Sequence, residues 1–535
     1  MRKSRRRWQV LAALLALPTL LPLGAALASL ARIDAELWSH LSTYVLPEVL
    51  PDTLILLVAV SLGVSLLGTG LALLVTMFDF PGRRVFSWAL LLPLAIPGYV
   101  LATVFIGGLD YAGSVATWLR ERGVLLPELR NRLGATLVLI AALYPYVYLV
   151  VRSSLATQGA RVMEAARSLG LSPAQAMLRV ALPLSAPAIL GGTLLAAMEV
   201  LADFGTVAAF NVDTLTSAIY EAWFALFSVD AALQLAGVLL LVVLVLVILQ
   251  SRVQSARRTA QSGPLSTRLR LRGPGAVGAS LFCLLILLLS FVAPAVQLLL
   301  WSCKHLATLE SRLLASALNS VLLGGLAALL VLSSALLLGY AARRAPGRVV
   351  SVATRIATLG YALPGALLAV GLYVPLAALA RQANESLGLG VILQGGLALM
   401  LLAYGVRFTA VAHAPVMSGL GRIRPSLDEA ARLAGLTGLK QLLRVHLPLL
   451  RPGLAAGAAL VFVDVMKEMP ITLMTRPFGW DTLAVRVFEL TSEGEWQRAA
   501  LPSLGIVIAG LLPVWWLIRN LERDERRGGD RGSAA

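Results

Sequence analysis

Long apolar runs alternate with short polar connections along nearly the whole chain. Each run is long enough to cross a hydrocarbon core of about 30 Å. Backbone groups in lipid must be satisfied within their own segment, so the runs predict helices, whereas a membrane β-barrel would show short strands of alternating polarity. Six spans are expected in the first half, near 8–31, 53–77, 85–108, 135–157, 187–209 and 231–250, and six in the second, near 276–302, 315–340, 352–380, 391–415, 453–475 and 499–518.

A polar segment between these runs occurs twice, 265 residues apart. Residues 164–187 read EAARSLGLSPAQAMLRVALPLSAP, and residues 429–452 read EAARLAGLTGLKQLLRVHLPLLRP. Weaker echoes, such as Pro97-Gly98 and Pro364-Gly365, extend the repeat over most of the chain. The predicted fold is therefore an all-α, polytopic membrane protein of about twelve transmembrane helices, arranged as two parallel six-helix repeats.

The first span imitates a cleaved signal peptide, because a basic start precedes an apolar run. The repeat favours an uncleaved helix, since the run at 276–302 is its counterpart in the second half. The expected organisation is a basic tail and first helix (1–52), a first transmembrane domain (53–250), an arginine-rich cytoplasmic linker (251–274), a seventh helix and outer loop (275–314), a second transmembrane domain (315–518) and a cytoplasmic tail (519–535).

Composition supports the membrane assignment. Hydrophobic residues make up 58 % of the chain and charged residues only 14 %, whereas about a quarter of the residues in a soluble domain are charged. The net charge of +17 could suggest nucleic acid, but the arginines mostly flank the apolar runs. That placement is the one expected of charges that orient a membrane protein. The lipid bilayer is the expected environment, and no nucleic-acid partner is predicted.

The charges on the connections predict which side of the membrane each one occupies. Connections 251–274 and 341–355 hold six and four arginines and no acid, whereas 203–230 holds four acids and no base. Connection 110–134 runs against this pattern, with four arginines and three acids. By the positive-inside rule, both termini and both copies of the duplicated segment are expected in the cytoplasm.

Each duplicated segment predicts a helix, a sharp turn and a second helix. Gly170 and Gly435 stand where a helix would end in the left-handed conformation. Residues 172–175 (Ser-Pro-Ala-Gln) have the pattern of an N-terminal capping box. Pro183 and Pro448 are expected to end the second helix. We interpret the segments as two docking surfaces for a partner outside the membrane; the alternative is a re-entry bend that was duplicated with the rest of the chain.

The same residues resemble the coupling-loop motif of binding-protein-dependent ABC importer permeases. The motif has Glu-Ala-Ala, then Gly four positions after the second Ala, and later an aliphatic residue, any residue, Leu and Pro. The chain carries it as Glu164, Ala165, Ala166, Gly170, Val180, Leu182 and Pro183, and again as Glu429, Ala430, Ala431, Gly435, Val445, Leu447 and Pro448. Valine replaces the usual isoleucine in both copies. Residues 201–206, 218–223, 467–473 and 476–478 resemble fused two-domain permeases of the ferric-iron type; thiamine, phosphonate and sulfate permeases are close relatives.

The resemblance implies a type I ABC importer transmembrane fold in a bacterial plasma (inner) membrane. It also implies two copies of a cytoplasmic ABC ATPase and an extracytoplasmic substrate-binding protein as partners. ATP and Mg would bind the partner ATPase, and this chain would hold no cofactor. The residues agree, because a Walker A loop needs Gly before Lys, and none of the four lysines follows Gly. The chain is therefore predicted to be a transport subunit without catalytic residues rather than an enzyme.

Charged residues inside two predicted spans are candidates for the translocation path. Glu199 and Asp203 belong to the fifth span, and Asp464, Lys467 and Glu468 to the eleventh. Acids four residues apart share one face of a helix, and an acid at mid-bilayer costs roughly 2.5–3.5 kcal/mol, which disfavours exposure to lipid. We hypothesise that these residues face a cavity and form part of a cation path, since carboxylates suit hard cations such as ferric iron. A structural ion pair involving Lys467 is the alternative.

Two other functional classes were weighed from the sequence. A twelve-helix secondary transporter also has parallel halves, but it needs no docking element for an ATPase. A membrane-embedded enzyme is disfavoured because the spans show no His/acid cluster or nucleophile–base pair. No metal site is predicted either, because the two cysteines form no ligand framework and the histidines are scattered: His40, His305, His413 and His446.

Overall fold

The computed structural model describes the backbone of residues 2–31, 34–256, 269–306, 311–387 and 396–532. Residues 257–268 of the predicted linker and 533–535 of the predicted tail lie outside the described residues. In the described part, helices account for nearly all regular structure. The exception is a pair of two-residue strands, β1 (Phe78–Asp79) and β2 (Leu269–Arg270), which lie parallel.

The helices of the first half follow one another with short breaks. They are α1 (Arg2–Ala31), α2 (Ala35–His40), α3 (Leu46–Met77), α4 (Arg83–Ala89), α5 (Gly98–Leu109), α6 (Ser114–Arg120), α7 (Arg132–Ser168), α8 (Pro173–Ala176), α9 (Leu182–Ala202), α10 (Gly205–Ala209), α11 (Leu215–Phe224) and α12 (Val229–Ala256). Those of the second half are α13 (Pro274–Leu287), α14 (Ala293–His305), α15 (Ser311–Arg344), α16 (Arg348–Leu359), α17 (Gly365–Leu387), α18 (Leu397–Arg422), α19 (Pro425–Leu433), α20 (Gly438–Gln441), α21 (Leu447–Lys467), α22 (Pro470–Thr475), α23 (Leu483–Ser492) and α24 (Ala500–Gly532).

The all-α, polytopic class predicted from the sequence is confirmed. Ten helices in the described residues are long and apolar enough to cross a membrane, and a bent pair raises the number to eleven. The last predicted span corresponds to a shorter apolar stretch, Ala500–Trp516, within α24. In the described residues, each predicted span therefore coincides largely with helix, although several differ in shape from the prediction. Residues 391–395 of the tenth predicted span lie outside the described residues.

The third predicted span is bent and not one straight helix. Arg83–Ala95 and Gly98–Leu109 meet at an angle of 89°. Pro97 causes the break, because a proline lacks the backbone N–H and forces the preceding residue out of the helical conformation. The ninth predicted span is divided in the same way: α16 ends before a tight turn at Gly360–Ala362, and α17 begins at Gly365.

The fifth and eleventh predicted spans end earlier than expected. Helix α9 stops at Ala202 and helix α21 stops at Lys467. The residue after each, Asp203 or Glu468, has an extended backbone, with ψ of 132° and 120° respectively. A short helix, α10 or α22, then follows instead of a continuation of the span. The same break therefore occurs in both repeats.

The chain divides into two compact units, and neither unit coincides with a sequence half. One contains Met1–Val45, Leu215–Leu241 and Glu310–Arg486. The other contains Leu46–Thr214, Val242–Leu309 and Val487–Ala535. The first helix is thus part of the unit that holds most of the second repeat, and the seventh predicted span is part of the unit that holds most of the first.

In the first unit, α15, α18 and α21 pack against one another, and α1 packs against α15, α16 and α17. Small side chains on α1 make the close approach possible: Ala12 and Ala16 are buried against Leu338, Ala341 and Ala353. The second unit repeats this arrangement with α3, α7 and α9, while α14 packs against α5 and α24. Each unit therefore places one duplicated segment between two of its core helices, α7 and α9 or α18 and α21.

Candidate functional site

The first duplicated segment forms a helix, a tight turn and a second helix. Glu164, Ala165 and Ala166 lie near the end of α7. Gly170 has φ of +85°, the left-handed conformation expected from the sequence. The N–H of Leu171 donates to the carbonyl oxygen of Ala166 over 3.1 Å. This bond satisfies a carbonyl that the helix end would leave without a partner, and it reverses the chain.

The predicted capping box is present at the start of α8. The N–H of Ser172 donates to Oε1 of Gln175 over 3.1 Å, and the N–H of Gln175 donates to Oγ of Ser172 over 3.3 Å. The two residues thereby satisfy each other's backbone donors. In the second copy, Thr437 takes the cap position of α20 without a side-chain hydrogen bond, and Lys440 stands where the first copy has Gln175.

The second duplicated segment has the same turn. Glu429, Ala430 and Ala431 lie on α19, and Gly435 has φ of +76°. The N–H of Leu436 donates to the carbonyl oxygen of Ala431 over 2.8 Å. The two copies therefore share a turn geometry that depends on glycine at one position and on the bond that follows it.

Pro183 and Pro448 do not end the short helices, so that expectation is wrong. A π-helical turn, Met177–Ala181 in the first copy and Leu442–His446 in the second, joins each short helix to the span that follows. The backbone bond at each turn reaches five residues back instead of four. Each proline then falls in the first turn of α9 or α21, where a missing N–H is tolerated. The short helix and the span are thus continuous.

The tips of both turns are open to solvent. Leu169 is 84 % exposed and Leu433 is 91 % exposed, and the side chain of Glu429 is also exposed. Ala166 and Ala431, in contrast, are buried beneath the tips. Each tip is therefore anchored to its own unit by a small buried apolar side chain. It exposes a large apolar side chain next to the glycine turn, as a surface that binds another protein would.

Asp203 caps a helix instead of continuing the face of Glu199. Its carboxylate accepts hydrogen bonds from the N–H groups of Thr206 and Val207 over 3.0 and 3.2 Å, and from Oγ1 of Thr206 over 2.7 Å. Gly98, which follows the break in the third span, packs so closely against Thr206 that an added Cβ would lie 2.6 Å from Oγ1 of Thr206. The expectation of two acids on one helical face is therefore wrong here, because α9 ends before Asp203. Asp203 instead fixes the start of α10 against the break in the third span.

Glu468 has the equivalent position in the second repeat. Its Oε2 accepts a hydrogen bond from the N–H of Ile471 over 3.0 Å at the start of α22. A Cβ placed on Gly365 would lie 2.5 Å from Oε1 of Glu468, so only glycine leaves room for the carboxylate. Asp464 and Lys467 lie in the last turn of α21 and are partly buried. The two Pro-Gly motifs and the two acids, noted separately in the sequence, thus meet in both repeats.

Comparison with protein-family models identifies the family to which the chain belongs. The model of the binding-protein-dependent transport system inner membrane component matches residues 65–261 and again residues 335–527. The chain belongs to this family. It is a fused two-domain permease, and the two regions that match each contain one duplicated segment. Residues 164–187 and 429–452 are from here on its first and second coupling segments.

Relatives of this permease differ in the cargo that their names give. The chain is similar to the Fe(3+)-transport system permease protein FbpB 2 of Haemophilus influenzae, at 28 % identity over 88 % of the chain and 89 % of the relative. A putative 2-aminoethylphosphonate transport system permease protein of Salmonella typhimurium is 32 % identical over 28 % of the chain and 58 % of the relative. The sulfate transport system permease protein CysT of Escherichia coli is 27 % identical over 35 % of the chain and 68 % of the relative.

The sequence did not reveal one buried polar side chain beside the second copy of the motif. Asp428 precedes Glu429 and accepts hydrogen bonds from Arg343, with Nε at 2.8 Å and Nη2 at 2.7 Å from Oδ2. Its Oδ1 accepts from Nε2 of Gln441 at 2.9 Å and lies 2.7 Å from Nε2 of His446. The signal that could have revealed it is the repeat itself, because the first copy has methionine at the position of Asp428.

The permease shows no resident metal centre in the described residues. Among them, no group of three or more His, Cys, Asp or Glu side chains could hold a metal ion. Cys283 is buried and Cys303 is exposed, and both are free thiols. The cation-path role of Glu199, Asp203, Asp464, Lys467 and Glu468 stays a prediction.

Proposed function

We propose that the permease forms the translocation path of an ATP-driven importer and that two copies of a cytoplasmic ABC ATPase dock on its two coupling segments. The observation that carries this proposal is the pair of exposed tips with matching turns at Gly170 and Gly435. A chain that needed only to re-enter the membrane would not have to present Leu169 and Leu433 to solvent in both copies. The match to the family model favours this class over a secondary transporter.

The continuous helices behind the tips supply a route for the motion. From Pro173 to Ala202 the chain is helical without a break, through α8, a π-helical turn and α9. Thirty residues of helix extend roughly 45 Å at 1.5 Å per residue. A displacement applied at the tip would therefore reach the far end of α9, where Asp203 holds α10. The second segment has the same path through α20 and α21 to Glu468.

The charge pattern supports a cytoplasmic position for both segments and both termini. Connection 110–134 is the exception, although two of its four arginines lie in ion pairs. Arg130 lies 3.2 Å from Asp110, and Arg132 lies 3.0 Å from Asp52. The support for this orientation comes from the summed arginines of connections 251–274 and 341–355.

Ferric iron, delivered by an extracytoplasmic binding protein, is the cargo we propose. The relative named for Fe(3+) transport aligns with most of this chain, whereas the phosphonate and sulfate relatives align with about a third of it. We propose Glu199, Asp464 and Lys467 as path residues, together with Asp203 and Glu468 if their capping bonds open during transport. Thiamine, phosphonate or sulfate is the alternative cargo.

Co-purification with the ATPase tests the docking proposal. We expect Glu164→Ala combined with Glu429→Ala to release the ATPase, while Glu121→Ala combined with Glu128→Ala, on connection 110–134, leaves it bound. Uptake of radioactive ferric iron, sulfate and 2-aminoethylphosphonate by cells that carry the whole system would then identify the cargo. Retention of the ATPase by the first pair, or its loss with the second pair as well, would contradict the docking proposal.

A further inference from the structure

The two coupling segments are held to their units in different ways. In the first, Glu164 lies on α7, which runs without interruption from Arg132 through the fourth span. In the second, α18 ends at Arg422, and α19 begins at Pro425 after two residues with extended backbones. The break follows from Pro425, which disfavours a helical residue before it; the first copy has Ala160 at that position. The second segment is therefore connected to its preceding span by a non-helical break, whereas the first segment continues the helix of its preceding span.

A buried ion pair spans this break. Arg343 on α15 pairs with Asp428 on α19, and both side chains are mostly buried. The same guanidinium donates to the carbonyl oxygens of Leu420 and Ile423 over 2.8 and 2.9 Å. It therefore adds a second donor to the carbonyl of Leu420, which also accepts from the N–H of Ile423, binds the carbonyl of Ile423 just beyond the end of α18, and at the same time holds α19. One side chain thus fixes both sides of the break.

Asp428 also ties α19 to the helix on the other side of the turn. Gln441 and His446 both reach its Oδ1, and the ring of His446 is fully buried. Nδ1 of His446 has no hydrogen-bond partner among the described residues, so a neutral ring that donates through Nε2 fits this site. Tyr340 completes the cluster, since its hydroxyl donates to the carbonyl oxygen of Gly438 over 2.9 Å.

The first repeat has none of these polar side chains. Each member of the cluster corresponds, 265 residues earlier, to an apolar residue. Tyr340, Arg343, Asp428, Gln441 and His446 correspond to Val75, Phe78, Met163, Ala176 and Ala181. Removing one member of a buried polar network leaves its partners unsatisfied, which costs more than replacing the whole set by apolar residues. Its complete presence in one repeat and complete replacement in the other indicates that the five residues act as one unit.

We propose that Asp428 is a positioning residue for the second coupling segment, and that the five-residue cluster around it stabilises the non-helical link at residues 423 and 424, which the first segment lacks. We call this cluster the brace. The inference rests on the proposed docking of an ATPase at both segments. The brace holds α19, the turn at Gly435 and α20 as one rigid body against α15, so that motion of the ATPase reaches α21 and is not absorbed at residues 423 and 424. The first segment transmits motion through α7 and needs no brace.

The test uses the full complex of permease, ATPase and binding protein in lipid nanodiscs. The brace-free variant gives the cluster the residues of the first repeat: Tyr340→Val, Arg343→Phe, Asp428→Met, Gln441→Ala and His446→Ala. A second variant adds Pro425→Ala, which lets α18 and α19 join. Asp79→Ala is the matched control, because it removes an Asp–Arg pair on the corresponding connection of the first repeat, where Arg83 lies 3.4 Å away.

Three readouts are measured on each variant. They are the amount of ATPase bound, the ratio of ATPase activity with and without loaded binding protein, and the mobility of a nitroxide label at Leu433→Cys or Leu169→Cys.

We expect the brace-free variant to bind normal amounts of ATPase, because no unpaired buried charge is left in it. Its activity ratio should fall about five- to tenfold, at the lower end of the range of typical couplings between two sites. The label at position 433 should become mobile while the label at position 169 does not, and Pro425→Ala should restore both readouts. Asp79→Ala should match the wild type.

Wild-type label mobility and activity ratio in the brace-free variant would overturn the inference. Equal loosening of both labels would also overturn it, since that pattern indicates general destabilisation. A wild-type chain that binds no ATPase would contradict the proposed function itself, so the two failures can be told apart.

Discussion

Replacing Gly435 with alanine isolates what the backbone contributes to a coupling segment. A Cβ at this position would meet no heavy atom within 4 Å, so the substitution introduces no clash. The left-handed conformation, with φ of +76°, costs an L-residue with a side chain about 1–2 kcal/mol. That free energy corresponds to a factor of roughly 5–30 in the population of the turn.

The apparent affinity for the ATPase should fall by up to the same factor, because only the population with a formed turn is competent to bind. Titration of the ATPase into nanodiscs that hold the permease measures this dissociation constant. Gly435→Asn should lose less affinity than Gly435→Ala, since asparagine tolerates the left-handed region better.

Gly421→Ala is the control from the same part of the chain. Gly421 lies inside α18, its added Cβ also meets nothing within 4 Å, and alanine is favoured over glycine in a helix by about 1 kcal/mol. Binding should therefore be unchanged in the control. Wild-type affinity for Gly435→Ala, or an equal loss in Gly421→Ala, would refute the reasoning that the glycine turn presents the docking surface.

Three further predictions follow from the acids and from the missing nucleotide site. Asp203→Ala should lower the free energy of unfolding by about 1 kcal/mol through loss of the α10 cap, while Asp203→Asn should keep most of it. Loss of iron uptake in a stable Asp203→Asn variant would support the path role of Asp203, and normal uptake would oppose it. Gly365→Ala should destabilise by about 1–3 kcal/mol, because its Cβ would meet Glu468, and a double-mutant cycle with Glu468→Ala should show strong coupling; additive thermal shifts would exclude the contact. The purified permease alone should hydrolyse no ATP above background in a phosphate-release assay, and measurable hydrolysis would refute its assignment as a subunit without an ATPase site.

Features set by local chemistry could be predicted from the sequence. The turns at Gly170 and Gly435 and the capping box at Ser172 depend on residues within one helical turn of each other, and the structure has all three. The π-helical turns before Pro183 and Pro448 were not predicted. The absence of an N–H from a proline can be met either by ending a helix or by a wider turn, and the local sequence is compatible with both.

Features set by distant contacts could not be predicted. Arg343 and Asp428 are 85 residues apart in the chain, and no local pattern joins them. The first helix, which the repeat pairs with the first half, packs in the unit of the second, because its alanines fit against α15 and α16. Asp203 and Glu468 were predicted as helical side chains, and their caps became visible only once the helix ends were known.

Cysteine accessibility at the two tips tests the central claim most directly. With Cys283 and Cys303 replaced by alanine, single cysteines at Leu169 and Leu433 are treated with a thiol reagent that cannot cross the membrane, applied from either side. The docking account predicts labelling of both positions from the cytoplasmic side, and protection of both when the ATPase is bound. Labelling only from the outside, or equal labelling with and without the ATPase, would contradict it.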